Sequence, residues 1–165
     1  MIAGMPVEAF TQLHVAISLV GIATGLVVVI GWIRRRFLPG WTAAFLVSTA
    51  ATSVTGFMFH STAFGAPHLF GVISLVALAA GVFALFVRRL SGPWRVVFLL
   101  TSILALYLNA FVGIVQTFQK VAFFNAFAPT QTEPPFVAAQ AVALLAFVVL
   151  GVLAVRRVRQ RTDFG

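Results

Sequence analysis

Five apolar stretches of about 20 residues alternate along the chain with shorter polar connections. A helix rises about 1.5 Å per residue, so about 20 residues cross the ~30 Å hydrocarbon core of a bilayer. The strands of a membrane barrel are shorter and alternate in polarity, which these continuous stretches do not. The pattern therefore predicts five transmembrane helices, over about residues 11–33, 41–59, 69–87, 96–118 and 137–155.

Prolines and glycines mark the connections between these predicted helices. None of the seven prolines lies inside a predicted span, and Pro39-Gly40 is typical of the short connections. The connection at about residues 119–136 is the longest and is predicted to be an outer loop. We therefore expect straight, unbroken helices that form one all-α transmembrane domain over residues 1–165.

The arginines predict how this domain is oriented. All ten arginines fall on one side of the five-helix arrangement, and Lys120 is the only basic residue on the other side. Positively charged loops remain in the cytoplasm, so the N-terminus is predicted outside and the C-terminus inside. Trp32, Trp41 and Trp94 also lie at the arginine side, as an interfacial aromatic belt would.

The composition supports an integral membrane protein. Of the 165 residues, 61% are hydrophobic and 8% are charged, whereas a soluble domain has about 25% charged residues. These values exclude a soluble enzyme and a disordered chain, and they exclude a nucleic-acid partner despite the net charge of +8. Cysteine is absent, which excludes disulfides and thiolate chemistry. We predict the bacterial inner membrane as the location and the lipid bilayer as a partner.

The acidic residues lie outside the predicted spans. Glu8 and Glu133 are on the outer side, and Asp163 is in the C-terminal tail. Proton- and cation-coupled transporters usually carry carboxylates within the membrane, so that class is disfavoured. A Ser–His–Asp triad would also lack its carboxylate, which favours a protein that is not an enzyme.

Polar residues near the outer side fall on shared helix faces. If these faces converge, they form a small pocket that opens outward. The predicted lining residues are His14, His60, His68, Asn109, Gln116, Lys120 and Gln140. The alternative interpretation is helix packing, because hydroxyls and small residues, such as the Gly21–Gly25 GxxxG pair, are typical of helix contacts in lipid.

The favoured function is a non-enzymatic accessory or scaffolding subunit. It would bind a partner, a lipid or an apolar ligand from the periplasmic side, within a larger membrane complex or a homo-oligomer. The outer loop favours this function because Phe123, Phe124 and Phe127 make it aromatic and three prolines limit its backbone freedom. The alternative is that the loop rests on lipid headgroups.

Two further functions stay open. His14 and His68 lie on different predicted helices near the outer side, so they are the candidate ligands of a b-type haem in a haem- or quinone-binding redox protein. A copper or zinc site of His14, His60 and His68 also stays open, although no carboxylate is placed to support these histidines and none of them is assigned as a metal ligand. The third function is a small-solute transporter or channel, which a chain of five spans would form as an oligomer.

Three segments resemble a known group of sequences. They are LHVAISLVGIATGLVVVIGW (13–32), ALYLNAFVGIVQTFQK (105–120) and APTQTEPPF (128–136). Together they resemble an uncharacterised family of small bacterial multi-pass inner-membrane proteins with no assigned function. The resemblance implies an all-helical inner-membrane protein, and it assigns no catalytic residue.

Overall fold

The computed structural model describes residues 1–59 and 65–160, and in that part the chain is helical without β-strands. Helix content is 82%, which confirms the all-α prediction. Helix α3 continues directly into a π-helical turn, Phe83–Val87. The helices are α1 (Val7–Ile33), α2 (Pro39–Phe57), α3 (Ala66–Val82), α4 (Trp94–Lys120), α5 (Ala122–Phe127) and α6 (Pro134–Arg159).

Prolines begin the long helices. Pro6 and Pro93 are the N-cap residues of α1 and α4, and Pro39 and Pro134 are the first residues of α2 and α6. A proline at a helix start costs little, because its fixed φ suits the helix and its missing N–H would have had no partner there. Prolines therefore mark the helix starts, although Pro39 and Gly40, which were predicted to form a connection, lie in the first turn of α2.

Helix α4 lies at the centre of the bundle. It contacts α1, α2, α3, α5 and α6. Of its most apolar segment 44% is buried, against 11% for α6. Phe98, Leu99 and Leu106 of α4 are fully buried and pack against Phe45 of α2 and Val28 of α1. The core is therefore built around α4, and α6 lies at the periphery.

Four helices in the described part are long and apolar enough to cross a membrane. The sequence predicts five spans, and the helix that falls short is α2. Its 19 residues carry many serines and threonines, which lower its hydropathy. The four qualifying segments are Val7–Ile33, His68–Val87, Trp94–Lys120 and Pro134–Arg159.

The outer loop is shorter than predicted. Helix α4 extends to Lys120 and α6 begins at Pro134, so the connection covers 121–133 rather than 119–136. Val121 breaks α4 with an extended backbone, φ −91° and ψ 113°. The six residues that follow form α5. The hydrophobic pattern does not predict α5, because six residues are too few to show a helical period in the sequence.

The bundle has two chemically different ends. We call the end that carries the turns after α1 and α3 and the last turn of α6 the arginine end; Arg35, Arg89 and Arg157 from these segments border one cavity there. The other end carries the segment 121–133, and we call it the opposite end. The tertiary structure therefore gathers arginines that are far apart in the sequence.

Candidate functional site

His14 ties α1 to α2 near the opposite end. Its Nδ1 lies 2.7 Å from Oγ1 of Thr55, at hydrogen-bond distance. Its ring meets the Phe59 ring edge-on, with 5.2 Å between centroids, and Phe59 contacts Phe10 in the same way. His14 is therefore held in a contact between α1 and α2.

His68 interacts with its own helix start. The Gly65 N–H donates a hydrogen bond to its Nδ1 at 3.2 Å, and its ring lies 5.8 Å from that of Phe57. The predicted lining residue His60 lies outside the described residues. The assignment of His14 and His68 as haem ligands stays a prediction, and a Soret band in the purified protein would test it.

Asn109 joins α4 to α1 in the bundle interior. It is buried, and its Oδ1 accepts a hydrogen bond from Oγ of Ser18 at 2.7 Å. Its Nδ2 donates to the Ser18 carbonyl at 3.3 Å. Close approach at this level depends on Gly21, because a Cβ there would lie 3.0 Å from Nδ2 of Asn109. Asn109 therefore acts as an interhelical clamp in this structure.

The remaining predicted lining residues lie in other surroundings. Nε2 of Gln140 donates to the Phe111 carbonyl at 3.2 Å, which joins α6 to α4. Its buried Oε1 has no hydrogen-bond partner within the described part of the chain. Gln116 is half-buried and Lys120 is exposed. His14, Asn109 and Gln140 thus each join a different helix pair: α1 with α2, α1 with α4, and α4 with α6.

An aromatic face lies at the opposite end on α5. Phe123, Phe124 and Phe127 are 67%, 38% and 56% exposed. Their rings contact one another, with centroids 5.3 Å apart for Phe123–Phe124 and 5.2 Å apart for Phe123–Phe127. Phe118 and Phe136 support this face from below, since the Phe118 ring lies 5.4 Å from those of Phe124 and Phe136. We call the three exposed rings the α5 aromatic face.

Polar side chains hold the segment under this face. Nδ2 of Asn125 donates to the Phe118 carbonyl at 3.1 Å. Nε2 of Gln131 donates to the Val115 carbonyl at 3.0 Å, and Gln131 has the positive φ of 61° that this turn requires. These bonds fix the segment to the end of α4.

Glu133 closes the same segment before α6. Its carboxylate accepts hydrogen bonds from the Thr130 hydroxyl at 2.9 Å and from the Thr130 and Thr132 N–H groups at 3.1 Å. Loss of hydration raises its pKa, but these hydrogen bonds and the Glu133 N–H outweigh that effect, so the pKa lies below its ordinary value. Together with Pro129 and Pro134, this network limits the backbone freedom of the segment that carries the aromatic face.

Sequence reasoning missed the partners of several predicted residues. It identified His14 without Thr55, because which faces of α1 and α2 meet depends on the packing of both helices. It found the phenylalanines of the loop but not the helix that presents them. The sequence signal for α5 is the spacing of Phe123 and Phe127, which places two rings four residues apart on one helix face.

Comparisons with known proteins assign no family or function to this chain. No protein-family model, no curated protein and no solved structure matches the chain. Within residues 1–59 and 65–160, no group of three His, Asp or Glu side chains is placed to hold a metal ion. The function must therefore be argued from the geometry of the bundle and its two ends.

Proposed function

We propose that the chain is a five-span protein of the bacterial inner membrane, with its N-terminus outside and its C-terminus in the cytoplasm. Four helices have the length and hydropathy of membrane spans. The arginine end carries the positive charge that cytoplasmic loops carry in such proteins. In this orientation α5 and Glu133 lie on the periplasmic side.

The hydrogen bonds of α2 support its role as the fifth span. Four of its six hydroxyls donate to carbonyls one turn earlier, for example Ser48 to Ala44 at 2.6 Å and Thr55 to Ala51 at 2.7 Å. The other two, on Thr42 and Thr49, are buried inside the bundle. A hydroxyl that is satisfied within its own helix leaves little unpaired polarity to face lipid. The 19 residues of α2 also extend about 28 Å, close to the hydrocarbon thickness.

The proposed function is a non-enzymatic accessory subunit that binds an apolar surface of a membrane partner on the periplasmic side. The observation that carries it is the α5 aromatic face. Contiguous exposed apolar side chains on a rigid segment are typical of interaction sites. Full burial of one phenylalanine stabilises a complex by about 1.5–3 kcal/mol, so three rings can supply a central binding patch.

Site-specific photo-crosslinking in cells tests this function. A photoreactive phenylalanine analogue replaces Phe123, which is 67% exposed on the α5 aromatic face. The matched control carries the same analogue at Phe86, which is 68% exposed in the π-helical turn near the arginine end. We expect a protein adduct of defined mass from position 123, and only lipid adducts from position 86.

A companion variant separates docking from chance contact. Phe127→Ser should abolish the protein adduct at position 123, because Phe127 forms part of the same face without carrying the probe. An adduct of twice the chain mass identifies the partner as a second copy of the chain. If both probe positions yield only lipid, α5 is an interfacial segment and the accessory-subunit proposal is wrong.

A further inference from the structure

A cavity of about 260 Å³ opens at the arginine end, opposite the α5 aromatic face. It lies between the end of α1, the turns that follow α1 and α3, the start of α4 and the end of α6. This volume is slightly below the about 300–1,000 Å³ of drug-sized ligand pockets, and so suits a smaller group. Its lining residues are Trp32, Arg35, Arg36, Phe37, Arg89, Leu90, Arg95, Arg157 and Val158.

The charge of this cavity is not balanced within the described part of the chain. Five of the lining residues are arginines, whereas the carboxylates of the described residues, Glu8 and Glu133, lie at the opposite end. Asp163 lies outside the described residues. Guanidinium groups that converge repel one another unless an anion lies among them, and their planar donors suit phosphate oxygens.

The backbone beneath the cavity is strained to hold these side chains. Arg35, Arg89 and Leu90 have φ values of 58°, 49° and 54°, and they are three of the five non-glycine residues with positive φ in the described part. Such strain collects at ligand clamps, because the surrounding structure must enforce it.

The end of α1 shows why this strain is informative. The Arg36 N–H donates to the Gly31 carbonyl at 2.8 Å, and the Arg35 N–H donates to the Trp32 carbonyl at 3.0 Å. These two bonds form a Schellman motif, in which glycine usually occupies the left-handed position. Here Arg35 occupies it, so the chain keeps a guanidinium at the cavity where glycine would relieve the strain.

Two side chains around the cavity have defined donor positions. Nε of Arg95 donates to the Leu90 carbonyl at 2.9 Å, which leaves the terminal nitrogens of its guanidinium for a ligand. Trp32 is 8% exposed, and its buried Nε1 has no acceptor among the described residues. A buried indole N–H that lacks an acceptor costs free energy.

We propose that this cavity binds a phosphate ester, which enters as the headgroup of an anionic lipid or as the phosphate of a soluble ligand. The arginines bind the phosphate oxygens. The apolar side chains of Trp32, Phe37 and Leu90 contact the carbon part of the ligand. This site is independent of the proposed accessory function, because it lies at the other end of the bundle.

Ligand-induced thermal stabilisation of the purified full chain in detergent micelles tests the site. The probes are phosphatidic acid, inorganic phosphate and phosphatidylcholine. We expect a saturable rise in melting temperature with phosphatidic acid and none with phosphatidylcholine. A rise with inorganic phosphate as well supports a site for the phosphate group from either source, whereas a rise with phosphatidic acid alone supports a lipid headgroup. No rise with either phosphate probe overturns the proposal.

Matched arginine variants distinguish a built site from diffuse attraction. Arg36→Gln removes a lining guanidinium, and we expect about ten- to one-hundredfold weaker binding of phosphatidic acid, as for the loss of a charged hydrogen bond. Arg34→Gln removes the same charge from a neighbouring residue that does not line the cavity, and should leave binding unchanged. Equal losses in both variants would mean diffuse attraction and would overturn the proposal.

Arg35→Gly separates ligand binding from folding. Glycine relieves the left-handed strain, so the ligand-free variant should melt at or above the temperature of the parent protein. The concentration of phosphatidic acid that gives half of the full rise in melting temperature should nevertheless be at least tenfold higher than for the parent protein. An unchanged shift in this variant would show that Arg35 does not bind the phosphate and would overturn its assignment as a ligand-binding residue.

Discussion

Helices α1, α2 and α4 approach closely at Gly25, and a single added methyl group should disrupt this contact. A Cβ at position 25 would lie 2.7 Å from Cδ1 of Leu106 and 2.8 Å from Cδ2 of Phe45. Carbon atoms in contact normally lie about 3.5–4.0 Å apart, so the methyl would intrude by about 1 Å. Leu106 and Phe45 are almost fully buried, at 0% and 1% exposure, so neither can yield by turning out of the core without losing its packing.

The expected cost follows from comparing two opposing effects. Adding a methylene-sized group to a packed core destabilises by about 1–3 kcal/mol. Alanine also favours a helix over glycine by about 1 kcal/mol. Gly113→Ala is the matched control, because a Cβ there meets only Cδ1 of Ile22, at 3.8 Å. The helix preference cancels between the variants, so Gly25→Ala should be less stable than Gly113→Ala by about 1–3 kcal/mol.

Reversible unfolding by SDS in mixed micelles measures this difference, with tryptophan fluorescence as the signal. Gly113→Ala should unfold at a free energy equal to or above that of the parent protein. Gly25→Ala should unfold at a lower free energy than Gly113→Ala. Equal free energies of unfolding for the two variants would refute the reasoning, because they would mean that α1, α2 and α4 do not pack against one another at this glycine.

Three further predictions concern orientation, a buried clamp and pH. A cysteine at Gly65 should react in intact cells with a membrane-impermeant thiol reagent and one at Ser91 should not; the reverse pattern would overturn the orientation. Asn109→Ala should lower the free energy of unfolding by about 0.6–1.7 kcal/mol, the range for interhelical hydrogen bonds in membranes. An unchanged free energy of unfolding would show that the hydrogen bonds between Asn109 and Ser18 do not stabilise the bundle. The pKa of Glu133 is depressed, so the stabilisation from this carboxylate is full above the ordinary pKa of 4.5 and disappears as the pH falls through the lower folded pKa. The difference in melting temperature between the parent protein and Glu133→Gln should therefore shrink in acid. A constant difference would contradict this linkage.

The two ends of the bundle present different chemistry for a physical reason. At the opposite end, polar side chains bond to backbone carbonyls and hold an apolar surface outward, as Asn125 does beneath the α5 aromatic face. At the arginine end, charged side chains converge around an apolar floor that includes Trp32. One end therefore suits an apolar partner and the other suits an anion.

The helical class, the helix boundaries near prolines and the clustering of arginines by side follow from the sequence by itself. A continuous apolar run in lipid forms a helix, because a helix pairs the backbone N–H and C=O groups within the segment itself. Pro39 and Pro134 limit where a helix can begin. These are local properties, since each depends on a residue and its near neighbours in the chain. The sequence also identified the phenylalanines of the outer segment as an apolar surface that is unfavourable in water.

Only the tertiary structure decided which side chains meet. His14 pairs with Thr55 and Asn109 pairs with Ser18, across 41 and 91 positions of sequence. These pairings depend on the rotation of each helix about its axis, which is set by close contacts such as that of Gly25 with Leu106. In lipid, almost every face of these helices is apolar enough to point outward. The hydrophobic pattern therefore does not determine the rotation of a helix about its axis. The shape of the packed side chains determines it.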